Sequence, residues 1–246
     1  MKFIVALFVL LGHFSFSHSD KKKTIYIVRH GETYLSTDSS PEVLGFFGVP
    51  LNRIGIAHCK GAGDFLANEN IGKIYYSELP RAKLSAECIA RQHSTKVEMI
   101  QENTLIDLSW GFYAGCYEEL FREELDLEKY ILHPEKFIIP NGESFYKVMN
   151  RLRLFFVKFW ESDEDTCTIV TNEVISNSLS LMFMQAPLEK FWAMHMSACG
   201  VSKVQMKNIY SFTIEYWNAN YFLKEAEKKY LKKPIIYSSK YWSLEI

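Results

Sequence analysis

The sequence predicts an α/β protein, a three-layer sandwich in which a mostly parallel sheet is covered by helices on both faces. Three observations lead there. Short β-rich apolar runs alternate with stretches of helical periodicity along most of the chain. Several of those runs are continuously apolar, as strands buried between two helical layers must be. No self-similar period appears that would point instead to a repeat architecture.

The elements follow in order. Met1 and Lys2 precede an unbroken apolar stretch from Phe3 to Gly12, then Phe14 and Phe16 among Ser15, Ser17 and Ser19, the pattern of a secretory signal peptide. The apolar part is shorter than the roughly 20 residues that a bilayer span needs; an uncleaved anchor is the alternative. The expectation is a signal peptide over 1–19 and one domain over 20–246, secreted or periplasmic, with no membrane contact after cleavage. Thr24 to Val28 reads as a strand, Asn52 to Ala67 as a helix, Lys73 to Ser77 as a strand and Leu79 to Gln92 as a helix, a βαβα unit.

From Ser144, a natural N-cap, the residues Phe145, Val148, Met149, Leu152, Phe155, Phe156 and Phe159 form one stripe at spacings of three and four. Thr168 to Thr171 is a compact strand, and Val174 to Phe183 a helix that stops before Pro187. Val201 to Met206 and Ser211 to Trp217 are two further strands. Gly111 to Pro140, acidic in its middle, reads as a solvated helical insertion over the sheet edge, and the tail from Lys224 carries no assigned role.

Composition bounds the function. The 246 residues are 48% apolar, 15% aromatic and 23% charged, which excludes a disordered or fibrous chain. Lysine plus arginine number 28 against 29 acidic residues, a net charge of -1, so no positive excess exists to bind a nucleic-acid backbone. Cys59, Cys88, Cys116, Cys167 and Cys199 form no CxxC pair, so neither a disulfide framework nor a zinc site is expected, and most should be buried free thiols.

In a sheet of this kind ligands sit beyond the carboxyl ends of the strands, which directs attention to the residues after Val28, Tyr76 and Val170. After the first strand stands Arg29-His30-Gly31-Glu32-Thr33. An imidazole there can attack phosphorus while its other nitrogen is held by a carbonyl, and the adjacent guanidinium offers a fork for phosphoryl oxygens. Arg81, in the first turn of the next helix but one, brings its charge and a helix N-terminus to the same edge.

These residues carry a resemblance. Ile25 to Thr33, IYIVRHGET, resembles the signature of the histidine phosphatase superfamily, which includes phosphoglycerate mutases and many phosphomonoesterases. GFFGVPLNRIG (Gly45 to Gly55), YSELPRAKLSAECIA (Tyr76 to Ala90) and NGESFYKVMNRL (Asn141 to Leu152, with Arg151) match further family segments in order. The likeness runs from about Thr24 to Phe222. It implies a phosphoglycerate mutase-like fold, His30 as the nucleophile that becomes phosphorylated, and Arg29 and Arg81 as phosphate ligands.

Two departures stand out. Where the family pattern V-[ST]-H-G places a second imidazole, Thr171 is followed by Asn172 and Glu173, so Asn172 is left as an uncharged phosphate ligand. Where the family's proton donor is commonly Glu, the segment Leu105 to Gly115 places Asp107. The expected activity is phosphomonoester hydrolysis of a small phosphorylated substrate, without cofactor or metal. Phosphatase is preferred over mutase because the segment between Asp107 and Gly142 is short. The alternatives are an inactive relative that binds phosphate or a phosphorylated ligand, motivated by Asn172, and a purely structural protein.

Other side chains have weaker claims. Glu32 and Thr33 shape the phosphate pocket or, for Thr33, cap a helix. His195 is expected as a partly buried structural histidine, His58 as a surface or packing residue, and His133 lies in the acidic insertion. Phe46, Phe47, Trp110, Phe112 and Tyr113 flank the expected mouth, as leaving-group contacts or as core aromatics.

Overall fold

The computed structural model describes residues 21–35, 48–116 and 127–231. The segment 1–19, Phe46, Phe47, the acidic run 118–126 and the chain after 231 lie outside the described residues. Six strands form one sheet in the order β3-β2-β4-β1-β5-β6. They are β1 (Lys23–Arg29), β2 (Lys73–Tyr76), β3 (Met99–Gln101), β4 (Thr166–Thr171), β5 (Val201–Asn208) and β6 (Ser211–Ala219). The pairs β1·β4, β2·β4 and β2·β3 are parallel, while β5 is antiparallel to both β1 and β6. Five strands therefore share one direction and β5 alone is reversed, because only the short turn after Asn208 joins β5 to β6.

Side chains of β1 alternate between two cores. Ile25 and Ile27 join the cluster under α4 (Phe145–Glu161) and α5 (Glu173–Met184); Tyr26 and Val28 join the one under α1 (Arg53–Leu66) and α2 (Pro80–Ala90). The three-layer sandwich is thus present. The stripe on α4 buries the seven residues read from its period, and the Ser144 hydroxyl accepts from the Lys147 amide at 3.3 Å as its cap. At the other end of α4 the buried Lys23 donates to the carbonyls of Phe159 and of Ser162 (2.8 Å), satisfying groups that the helix leaves open. Pro80 sits in the first turn of α2, and α5 ends where Gln185 turns left-handed (φ 52°) ahead of Pro187.

Two elements have no counterpart in the sequence reading and one expectation needs correction. Leu223–Tyr230, at the start of the tail left without a role, forms a helix, α6, against α1, with Ala226 over Gly61 and Phe222 stacked on Phe65 at 4.8 Å. The short strand β3 is the other. The described part of the 111–140 insertion is more than a solvated cover: α3 (Leu127–Leu132) brings Tyr130 within 5.5 Å of the ring centroids of Trp110, Phe137 and Trp192, and Phe137 and Ile139 are buried. All five cysteines are free thiols, with Cys59, Cys88, Cys167 and Cys199 buried, as expected; Cys59 and Cys199 lie with their sulfurs 3.1 Å apart.

The loop after β1 lies against the start of α1. Asn52 caps that helix, accepting from the Gly55 amide at 2.8 Å, while its own amide donates to Glu32 Oε1 at 2.6 Å and to the Thr33 carbonyl at 3.2 Å. Thr33 itself pairs with Leu51 in an isolated bridge, so it is not the helix cap. A Cβ at Gly55 would stand 2.1 Å from the Glu32 carbonyl oxygen, backbone that cannot give way without moving the loop. Gly55→Ala is expected to cost about 1–3 kcal/mol, read as a fall in Tm of roughly 2–10 °C by calorimetry.

Candidate active site

Parallel pairing fixes the site. Arg29 is level with Thr171 and Tyr76 with Val170, so β1 and β4 end together and β2 one residue earlier, which brings His30, Asn172 and Ser77 to one edge of the sheet. The pairing continues one step further, with the His30 amide donating to the Thr171 carbonyl at 2.9 Å and the Ser77 amide to the Val170 carbonyl at 3.2 Å.

His30 is buried, and its Nδ1 lies 2.8 Å from the Gly31 carbonyl. A carbonyl only accepts, so Nδ1 carries the proton and Nε2 holds the lone pair. Arg81 Nε, a donor, approaches that Nε2 at 3.1 Å, in agreement. Burial, then the charges of Arg81 and Arg29, hold the imidazole well below its ordinary pKa, which favours its neutral form. Ser85 of α2 braces the loop, accepting from the Gly31 amide at 3.0 Å while donating to the Arg81 carbonyl at 2.7 Å.

Arg81 joins three of the expected residues. Its Nε also donates to Asn172 Oδ1 at 2.9 Å, and Nη2 pairs with Asp107 Oδ2 at 2.9 Å. Because a guanidinium only donates, the carbonyl side of Asn172 must face it; the amide nitrogen donates to Ser77 Oγ at 3.2 Å. Asn172 is fully buried and caps no helix amide with its side chain. Arg29 Nη1 donates to the Met196 carbonyl at 2.8 Å and Nη2 pairs with Glu173 at 2.9 Å, while its buried Nε has no hydrogen-bond partner.

Asp107 is held from behind. Arg151 Nη2 donates to the Asp107 carbonyl at 3.2 Å, and Nε and Nη2 make a bidentate pair with Glu143 at 3.0 Å each. Glu143 in turn exchanges backbone and side-chain bonds with Ser109 at 2.9 and 3.2 Å. Burial pushes the Asp107 carboxyl above its ordinary pKa, with Arg81 pulling the other way.

Ser77, Ser85 and Glu143 have no role in the sequence reading, and Glu173 enters it only as part of a departure from the family pattern. Their position in the quoted segments was the available signal, since each lies within four residues of a motif position. His195 departs from its expected setting: it is 65% exposed, and its Nδ1 pairs with Glu173 Oε1 at 3.1 Å. His58 is buried on Glu227 at 2.8 Å and His133 is exposed beside Glu135. Of the mouth aromatics, Trp110 is a core residue, Tyr113 packs against the core and Phe112 is 73% exposed.

Among the described residues, no group of three or more His, Cys, Asp or Glu side chains is arranged to hold a metal ion, and no helix is long and apolar enough to cross a membrane. A polar pocket between Ala67–Gly72 and Val97–Glu98 lies at the opposite, amino-terminal end of β2 and holds none of the groups above.

Comparison with known proteins identifies a family. The family model described as "Histidine phosphatase superfamily (branch 1)" matches residues 25–220. The chain is 28% identical over 138 residues to "Probable fructose-2,6-bisphosphatase TIGAR A" of Danio rerio, a match covering 55% of this chain and 52% of that one. It thus spans about half the length of that relative. It is 23% identical over 171 residues to "Adenosylcobalamin/alpha-ribazole phosphatase" of Escherichia coli (strain K12), covering 68% of this chain and 82% of that one. The solved structure "Bacillus stearothermophilus YhfR" superposes with a TM-score of 0.73 at 23% identity, over 82% of this chain and 99% of the other, a likeness of fold.

Proposed function

Because this chain belongs to the histidine phosphatase superfamily, we propose that it hydrolyses phosphomonoesters through a phosphohistidine on His30, with Asp107 protonating the leaving oxygen. The observation that carries this reading is the fixed tautomer of His30, whose Nδ1 lies on the Gly31 carbonyl at 2.8 Å and whose Nε2 faces Arg81. In the first step Nε2 bonds to phosphorus as the ester P–O bond breaks, and the carboxyl of Asp107 gives its proton to the departing oxygen. In the second, water attacks phosphorus, its proton returns to Asp107, and the P–N bond breaks to release phosphate.

Arg81 and Arg29 stabilise the charge on the phosphoryl oxygens. Asn172 serves chiefly to orient Arg81, through the 2.9 Å bond to its Nε. The printed names of the relatives, a fructose-2,6-bisphosphatase and an adenosylcobalamin/alpha-ribazole phosphatase, support a phosphorylated metabolite as substrate. The apolar segment ahead of Asp20 supports action outside the cytoplasm.

Asn172, uncharged and turned toward Arg81, favours a second reading in which the chain keeps the phosphate cup and releases product slowly or not at all. One experiment separates them. The full chain is mixed with an aryl phosphate labelled in its phosphoryl group, quenched in alkali, where phosphohistidine survives, and digested. Label on the His30 peptide with continuing phosphate release is the expected result. Label without release supports the second reading, and neither label nor release overturns the first.

A further inference from the structure

Each guanidinium of the cup faces a carboxylate: Arg81 Nη2 meets Asp107 Oδ2 and Arg29 Nη2 meets Glu173 Oε2, both at 2.9 Å. The two carboxylates differ in setting. Asp107 is the buried acid already assigned, and its charge is absent whenever it holds the proton it is to donate. Glu173 is 35% exposed, opens α5 where the helix dipole favours a negative group, and is also met by the exposed His195 at 3.1 Å. The pattern of the resemblance has glycine at this position, so the carboxylate is an addition to the rim.

Arg29 is held at Nη1 by the Met196 carbonyl at 2.8 Å and at Nη2 by Glu173 at 2.9 Å, so the carboxylate stands beside any phosphoryl group that this guanidinium attracts. Substrate and carboxylate then share one guanidinium. The phosphoryl group meets a guanidinium whose charge is partly offset, with a negative group at the edge of the cup. A neutral leaving group is indifferent to this, a cationic one is attracted, and a second phosphate or a carboxylate is repelled.

Resting on the phosphatase reading, we propose that Glu173 sets the charge class of the substrate: the site favours phosphomonoesters with a neutral or cationic leaving group and disfavours bisphosphates and phosphorylated acids. A unit charge roughly 6 Å from a second anion, in a dielectric between that of a protein surface and water, corresponds to about tenfold in kcat/KM. The effect shrinks as salt is raised.

The test compares the full-length wild type, Glu173→Gln and Glu173→Asp on phenyl phosphate, an aminoalkyl phosphate and a phosphorylated hydroxy acid. Glu173→Gln should raise kcat/KM for the phosphorylated acid about tenfold relative to phenyl phosphate, and lower that for the aminoalkyl phosphate. Glu173→Asp, which keeps the charge, should keep the wild-type ranking. An equal change on all three compounds would mean that Glu173 only positions Arg29, and an unchanged ranking would equally overturn the proposal. Binding of the same compounds, measured by calorimetry, separates the two readings: a shifted binding ranking without turnover defeats the phosphatase and keeps the charge selection, whereas turnover with no shift in either ranking does the reverse. Absence of both binding and turnover defeats both.

Discussion

His30→Ala is expected to lower kcat for phosphate release by about 10⁴-fold or more, the scale seen when a nucleophile is removed from a site built around it, and to abolish the covalent label. No other imidazole among the described residues is placed to take over. His58 and His133 are tied to Glu227 and Glu135, His93 lines the pocket at the amino-terminal end of β2, and His195 reaches the site only through Glu173. Phosphate binding should survive, because Arg81 keeps its 2.9 Å bonds to Asn172 and Asp107 when the imidazole is gone. A thermal shift with inorganic phosphate in the variant, together with lost turnover, is therefore the expected pair of results. Residual activity within tenfold of wild type would remove His30 from the chemistry.

The same variant has a signature in stability. Folded His30 has a depressed pKa, whereas in the unfolded chain it takes a proton below about 6.5. The unfolded state thus binds more protons, and the wild type loses this share of its stability as pH falls through that value toward the folded pKa. Tm measured from pH 8 to 5 should fall less steeply in His30→Ala.

Much of this site was legible because its residues sit at the ends of strands whose apolar runs are unmistakable. The α4 stripe was legible for the same kind of reason: seven apolar side chains at helical spacing admit one buried face. What escaped had no such local signal. β3 has three residues, too few for a period, and is held by pairing with β2. α6 is mostly charged, and its one buried residue, Ala226, finds its place only because Gly61 on a distant helix leaves room for it. Asn172 and Arg81 were both named, yet their mutual bond depends on side-chain direction across two elements 91 positions apart. Glu173 was visible as a departure from a pattern, but its grip on Arg29 requires the two strand ends to be level, which pairing between β1 and β4 decides.

Asp107→Asn should divide substrates by their leaving groups. With an alkyl phosphate, whose departing alkoxide must be protonated, loss of the acid is expected to lower kcat/KM by about 10²–10⁴-fold. With a nitrophenyl phosphate, whose phenolate leaves without help, the loss should be under about tenfold, since the amide oxygen still accepts from Arg81 where Asp107 Oδ2 now does at 2.9 Å. The pH dependence carries a second sign. Burial raises the Asp107 carboxyl above its ordinary pKa, so in the wild type the acid form persists at low pH and is depleted as pH rises through the raised value. Activity on the alkyl ester should fall along that limb, while the variant shows no such limb. An equal loss on both esters would assign Asp107 to holding Arg81 in place, and the proton would then have to reach the leaving oxygen from solvent.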